Sequence, residues 1–311
     1  MAHFASILSA STRKTVLVTG CDMYAGFQIA CMMLKHKGKH FEEVYAVYFE
    51  ENHLVHELKK HGACCIKLAI ADGADKVAKA YSKADVVVVV PPVSDEKWEE
   101  DACVFVSAVE KAKVKGLVLC SKIGVEKMGG FRMLEPLLKM EQAYEKVKGE
   151  VEAASLVRCS LHIDMLWLFR RQIASEHSIK LPASPDAKFA PLAEADGAQG
   201  LYNMLVDPKF PTGTYELTGP KQVDFKTITE HAASMIDNSI TYKQIGRQEM
   251  EEYLMQQEDV CENVVCFLAD MLEAVSKGLV EKCGGDLEKL LGKQPMSVER
   301  YLEKNADSFK P

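Results

Sequence analysis

Five consecutive valines at residues 86–90 constrain the fold more than any other feature of this chain. A strand with one wet face alternates apolar and polar residues. An unbroken valine run predicts burial on both faces, as in the middle of a parallel sheet. Parallel strands need long crossovers, usually helices, and the flanking sequence supplies them. "TVLVTG" (15–20), "EVYAVYF" (43–49), "CCIKLAI" (64–70), "GLVLCS" (116–121) and "SLVRCSL" (155–161) read as further strands. Between them, "AGFQIACMMLKHKG" places Phe27, Ala30, Met33 and Leu34 at helical spacing and closes on Gly38. "ENHLVHELKKHG" (51–62), "DKVAKAYSKA", "DEKWEEDACVFVSAVEKAKV" and most of 135–154 are also helical patterns. The alternation predicts an α/β fold with a doubly wound parallel Rossmann sheet over 1–161. After residue 161 the pattern loosens. A smaller, mostly helical substrate lobe is expected over 162–311, partly interleaved, with a strand near 213–219 returning to the core sheet.

Composition narrows the function classes. The chain has 311 residues, 48% of them apolar, with a net charge of −7. That balance disfavours a nucleic-acid partner, since duplex binders carry a basic excess. No apolar run approaches the ~20 residues of a membrane span. Ten cysteines without a C-x-x-C pair, and no secretory signal in "MAHFASILSA", read as reduced thiols in the cytoplasm. The alternative is an organelle presequence, because the first 21 residues contain no acid. His53, His56 and His61 near Cys64 and Cys65 lack thiol pairs at ligand spacing, so no metal site is expected.

The segment "VLVTGCDMYAGFQIA" (16–30) is a strand, a glycine turn and a helix start. In a dinucleotide turn the first glycine permits the tight bend, the middle one admits the pyrophosphate, and the last lets helix and strand pack closely. Gly20 and Gly26 keep the first and third roles, but Met23 occupies the middle position. Asp22, Met23 and Tyr24 join the two glycines as candidate cofactor contacts. The second strand ends in "YFEEN", where Glu50 and Glu51 would repel a 2′-phosphate, so NAD is favoured over NADP.

These segments resemble the NmrA-like branch of the atypical short-chain dehydrogenases. The resemblance rests on "LVTGCDMYAGFQIA", "SKADVVVVVPP", "GLVLCSKIGVEK", "LLKMEQAYEKV", "SLVRCSLHIDML", "GTYELTGP" and "LGKQPMSVERYLEKNADSF", and runs nearly end to end. It implies an NAD(P)H-dependent reductase of quinones, alkaloids or phenolics, or a regulator that senses dinucleotide. Three positions depart from the family at the cofactor site: Met23 for glycine, Phe49 for arginine, and Ala69-Ile70 for Gly-Asp.

Spacing to Arg158 aligns Lys139 with the family's active-site lysine. Tyr144 and Lys148 imitate the ordinary Tyr-x-x-x-Lys pair, but Lys148 lies roughly 14 Å beyond Lys139 along a helix. Lys139 and Ser121, at the end of the fifth strand, are therefore the candidate catalytic groups, and both are candidate cofactor contacts. Pro91 and Pro92 would line the cleft, while His162, Asp164 and Trp167 would face substrate. The leading expectation is an NAD(P)H-dependent oxidoreductase acting on a small apolar carbonyl, imine or quinone. The alternatives are a regulator or structural subunit with a protein partner and no turnover, even without cofactor, and a non-redox cyclase or isomerase. Oligomeric state is not legible.

Overall fold

The computed structural model describes residues 13–257 and 260–310. The presequence-like opening and Glu258–Asp259 of the acidic stretch 248–263 lie outside the described residues. In chain order the strands are β1 (Lys14–Val18), β2 (Phe41–Tyr48), β3 (Cys64–Lys67), β4 (Val86–Val89), β5 (Gly116–Lys122), β6 (Ala153–Cys159), β7 (Ser178–Leu181), β8 (Lys188–Phe189), β9 (Gly213–Leu217), β10 (Val223–Asp224) and β11 (Thr241–Gln244). Seven form one parallel sheet in the order β3-β2-β1-β4-β5-β6-β9. The late strand β9 thus returns to the core sheet beside β6. The five valines sit between β1 and β5, and none is more than 4% exposed.

The helices are α1 (Tyr24–Lys35), α2 (His53–Lys60), α3 (Gly73–Tyr81), α4 (Trp98–Asp101), α5 (Val104–Ala112), α6 (Glu135–Val147), α7 (Arg170–Glu176), α8 (Glu194–Val206), α9 (Phe225–Met235), α10 (Arg247–Met255), α11 (Glu262–Ser276), α12 (Asp286–Leu291) and α13 (Val298–Asn305). Helices α1, α2, α8 and α12 cover one face of the sheet, and α3, α5 and α6 the other. The remaining helices pack with the β8–β10 and β7–β11 pairs. Among the described residues no helix is long and apolar enough to cross a membrane, and all ten cysteines are free.

Three local features differ from the sequence expectation. Strand β3 stops at Lys67, because the chain turns into a single 3-10 turn whose Ile70 amide bonds the Asp95 carboxylate at 2.8 Å. The long helical pattern after β4 divides into α4 and α5. Strand β11 arises from polar "TYKQ", whose register is set by its pairing with β7 and by Tyr242 donating to the Ala183 carbonyl at 2.7 Å.

The order reverses between β1 and β4, which opens a crevice at the strands' carboxyl ends. Helix α1 closes against this point only because residue 26 is glycine. A Cβ there would lie 2.2 Å from the Gly20 carbonyl oxygen and 2.8 Å from that of Thr19. Gly26→Ala should therefore lower unfolding free energy by about 1–3 kcal/mol, the usual cost of overpacking. Gly246→Ala, with no atom within 4 Å of the added carbon, should stay close to wild type in the same urea titration.

Candidate functional site at the carboxyl edge of the sheet

Backbone chemistry shapes the β1–α1 turn. Gly20 has φ +65°, a conformation that disfavours side chains. Thr19 Oγ1 donates to the Val90 carbonyl at 2.7 Å and accepts the Val90 amide at 2.9 Å, tying the ends of β1 and β4 together. Helix α1 begins without a side-chain cap and without an acid in its first turn. Its positive end is therefore uncompensated and suited to an anion.

Two side chains work against that end. Met23 folds back so that its Cε lies 3.3 Å from where a Cβ on Gly20 would stand. Asp22 is buried and accepts the Phe49 and Glu50 amides, each at 3.2 Å, and the Ser94 hydroxyl at 2.6 Å. Asn52 Nδ2 donates to its carbonyl at 2.7 Å. Burial pushes the Asp22 carboxyl above its ordinary range, and the hydrogen bonds only partly offset this. The Phe49 side chain is core, 5.2 Å from the Phe105 ring between centroids; only its amide reaches the turn. Glu51 is held by Lys59 and, at 3.1 Å, by His56 on the exposed start of α2. Tyr24 remains 43% exposed, its phenol pushed up to about 12 by partial burial and by Asp164.

Beside the turn lies a cavity of about 200 Å³. Met23 and Ala25 form one wall, Val90 and Pro91 another, and Val264 and Phe267 of α11 cover it. Asn263 fastens α11 to the loop after β4, donating to the Asp95 carbonyl at 2.8 Å. The lining is mostly apolar; its polar side chains are Ser121, Lys122, His162 and Glu194. Ser121 is 4% exposed and its hydroxyl has no hydrogen-bond partner. An unpaired buried hydroxyl costs about 1–3 kcal/mol, and this one lies on the wall of the cavity. His162 Nδ1 stands 2.7 Å from Glu194 Oε2, an ionic contact without full hydrogen-bond alignment. Burial alone would raise the Glu194 carboxyl. The charge and contact of His162, with Lys122, outweigh it and hold the group below its ordinary range.

The structure thus gathers Met23, Pro91, Ser121 and His162 around one cavity, next to Gly20 and Gly26 in the turn; Pro92 is buried and does not line it. It leaves Lys139 outside. That ammonium is on the exposed side of α6, 3.1 Å from Glu135, because the helix turns Met140 and Glu141 inward instead. Glu141 grips Arg158 in a two-bonded pair at 3.1 and 2.5 Å. Tyr144 is in the core, pushed up to about 12 by burial, and Lys148 pairs with Glu145 at 2.6 Å. Asp164 does not line the cavity. It accepts the Glu194 amide at 2.8 Å, capping α8, and the Tyr301 hydroxyl at 3.3 Å. Trp167 donates to that same hydroxyl at 2.9 Å and packs on Phe309, so both residues anchor α13. Sequence reasoning missed Glu194 and the cover supplied by α11. "PLAEADGAQG" held the only signal for the first, an acid opening a helix just after a proline loop. No group of three residues suited to a metal ion occurs among the described residues.

No protein-family model matches the chain. Over 226 residues, 72% of this chain and 71% of the relative, it is 23% identical to Prestalk A differentiation protein A of Dictyostelium discoideum. Among solved structures it is similar to an NADPH-dependent quinone oxidoreductase from Escherichia coli complexed with NADPH (TM-score 0.74, 14% identity, 93% of this chain and 99% of that one). It is also similar to Citrobacter sp. triphenylmethane reductase complexed with NADP(H) (TM-score 0.73, 15% identity, 94% and 99%). A third is a nucleoside-diphosphate-sugar epimerase from Staphylococcus aureus (TM-score 0.73, 17% identity, 93% and 99%). These likenesses show the fold: a seven-stranded parallel, Rossmann-type α/β sheet shared with two reductases and an epimerase.

Asp22 gives this site a pH signature. An acid with a raised folded pKa binds its proton more tightly when folded, so ionising it costs stability. That cost is absent below the unfolded pKa and fully present above the folded one. Asp22→Asn should therefore gain stability over wild type at neutral pH and lose that advantage towards about pH 3, as read from urea midpoints along the pH series.

Proposed function

We propose that the protein is an NAD(P)H-dependent oxidoreductase that reduces a small, largely apolar carbonyl, imine or quinone. The observation that carries this reading is the orphaned Ser121 hydroxyl in an apolar cavity beside the uncapped start of α1. The left-handed Gly20 and the close Gly26 contact preserve the turn that a dinucleotide needs, so the residues fit the cofactor. Fold neighbours whose descriptions carry NADPH or NADP(H) support the same class.

The start of α1 and the turn around Gly20 and Gly26 would hold the pyrophosphate, and Pro91 and Ser121 the nicotinamide end. The bound cofactor supplies hydride. Ser121 offers a donor to a ligand oxygen. The walls from Val90, Val264 and Phe267 keep water from the reacting groups. Lys139, tied to Glu135 on the outer face of α6, is left with no part in this chemistry; Ser121 and His162 take it. Asp22, Glu50 and Glu51 surround the end of β2 with negative charge, and Lys59 is engaged by Glu51. A 2′-phosphate is disfavoured there, so NAD(H) is the preferred cofactor.

A second reading is favoured by one observation: Met23 and Asp22 both subtract from the phosphate seat. In that case the protein is a dinucleotide-sensing regulator that works through a protein partner.

Calorimetric titration separates these readings. NADH should bind at least as well as NADPH, and Met23→Gly should tighten binding by about 1 kcal/mol, one modest polar contact. Submicromolar NADPH binding with a clear preference over NADH contradicts the charge argument. Turnover should follow with a small quinone or imine, and Ser121→Ala should slow it about tenfold or more. Tight binding with no turnover of any carbonyl, imine or quinone would transfer the assignment to the regulator.

A further inference from the structure

We infer that Glu194 is a positioning residue that fixes the His162 imidazole as the proton donor for the substrate in the cavity. The inference rests on the oxidoreductase reading and assigns its second half, since hydride transfer leaves a heteroatom that needs a proton. Three observations carry it. Both side chains line the cavity that contains the orphaned Ser121 hydroxyl. His162 Nδ1 is 2.7 Å from Glu194 Oε2, which leaves Nε2 as the ring's other donor. The pair is sheltered, with side chains 18% and 5% exposed, so the carboxylate acts on the ring with little screening.

The backbone makes Glu194 rigid. Its amide is held by Asp164 at 2.8 Å, it opens α8, and beyond the His162 contact its Oε2 has no aligned hydrogen-bond partner. A buried carboxylate in that state needs a donor or charge partner beside it, and His162, with Nδ1 at 2.7 Å, is the group in contact. The other titratable groups around Glu194 are Lys122 and Cys120 from β5, Cys159 from β6, Asp164 from the turn after β6, and Tyr24 from α1. Of these only Lys122 is cationic, and it draws the carboxyl down less than His162 does. The thiols and the phenol are pushed up by burial and stay neutral.

The step balances as follows. The substrate carbon accepts hydride from a dihydronicotinamide, forming a C–H bond. The C=O or C=N π pair moves to the heteroatom. The Nε2–H bond of His162 breaks and its proton goes to that atom. The ring is left neutral, with Nδ1–H still facing Glu194, and recovers its proton from water.

The test begins without cofactor, on the full chain. Nitrogen NMR of histidine-labelled protein should show a proton held on His162 Nδ1. Carbon NMR should show Glu194 ionised below the ordinary carboxylate range. In His162→Gln the unopposed burial should raise the Glu194 titration. In Glu194→Gln the Nδ1–H preference should be lost, and Glu194→Asp should restore part of it. With NADH and a small quinone or imine, His162→Gln should lower kcat about a hundredfold or more and remove the limb of the pH profile that reports the acid. Glu194→Gln should lower kcat about tenfold while leaving KM nearly unchanged. A wild-type Nδ1 without its proton, or a Glu194 carboxyl titrating in the ordinary range, overturns the pair without any variant having to fold. An active enzyme indifferent to His162→Gln also overturns the inference. Wild type that oxidises no dihydronicotinamide, with the NMR signature intact, counts against the oxidoreductase reading instead.

Discussion

The contact on which the structure depends is backbone against backbone. Helix α1 rests so close to the β1 turn that no side chain fits between Gly26 and the Gly20 carbonyl. That approach brings the positive end of α1 to the crevice between β1 and β4. The Thr19 hydroxyl, bonded both ways to Val90, holds the two strand ends in register. Ser121 then falls beside the crevice by register, since β5 runs parallel to β4, and His162, just past the end of β6, is fixed there by its bridge to Leu192. The chemistry is placed by strand ends, and the helices set how much room remains.

Charge decides what that room accepts. An uncapped helix start offers an anion about 0.3–1 kcal/mol at an exposed site and up to ~2 when partly buried. Asp22 opposes it from within the same turn, and its carboxylate has already taken the Phe49 and Glu50 amides at the end of β2. Under the function proposed above, a dinucleotide at this turn would meet attraction from the helix and repulsion from the acid. Proton uptake by Asp22 would remove that repulsion, which couples affinity to pH under the proposed function. At the opposite end Glu194 is held down by His162. Two buried carboxyls thus carry opposed perturbations: that of Asp22, in the β1–α1 turn, is raised by burial, and that of Glu194, in the cavity lining, is lowered by His162 and Lys122 against its burial.

Much of the architecture was legible because it rests on short-range rules. The valine run, the glycines after helices and the strand–helix alternation each follow from burial or backbone freedom, and the resulting sheet order matches them. Even the return of residues near 213–219 to the sheet could be read, since "GTYEL" alternates like an edge strand. Polar "TYKQ" could not, because its register comes from β7 and not from its own pattern. At the site, Ser121 and His162 were accessible as residues at strand ends. Lys139 and Glu141 stand two positions apart on α6, and helical phase, which spacing to Arg158 does not encode, turns the glutamate inward to Arg158 and leaves the lysine outside, paired with Glu135. Asp164 and Trp167 are polar residues near a cleft whose bonds run to α8 and to Tyr301 instead. The placement of Glu194 depends on the Asp164 carboxylate, 30 residues away, and that of α11 over the cavity on Asn263 with Asp95, 168 residues apart, and no local pattern encodes either.

The most direct measurement is a crystal structure of the protein soaked with NADH. The account predicts the pyrophosphate over the Gly20–Gly26 turn, with Met23 displaced from Gly20, and the nicotinamide ring within hydrogen-bond reach of Ser121. His162 should still touch Glu194 and face the ring. Dinucleotide bound elsewhere on the molecule, or a filled turn with Ser121 still unpartnered, would contradict it.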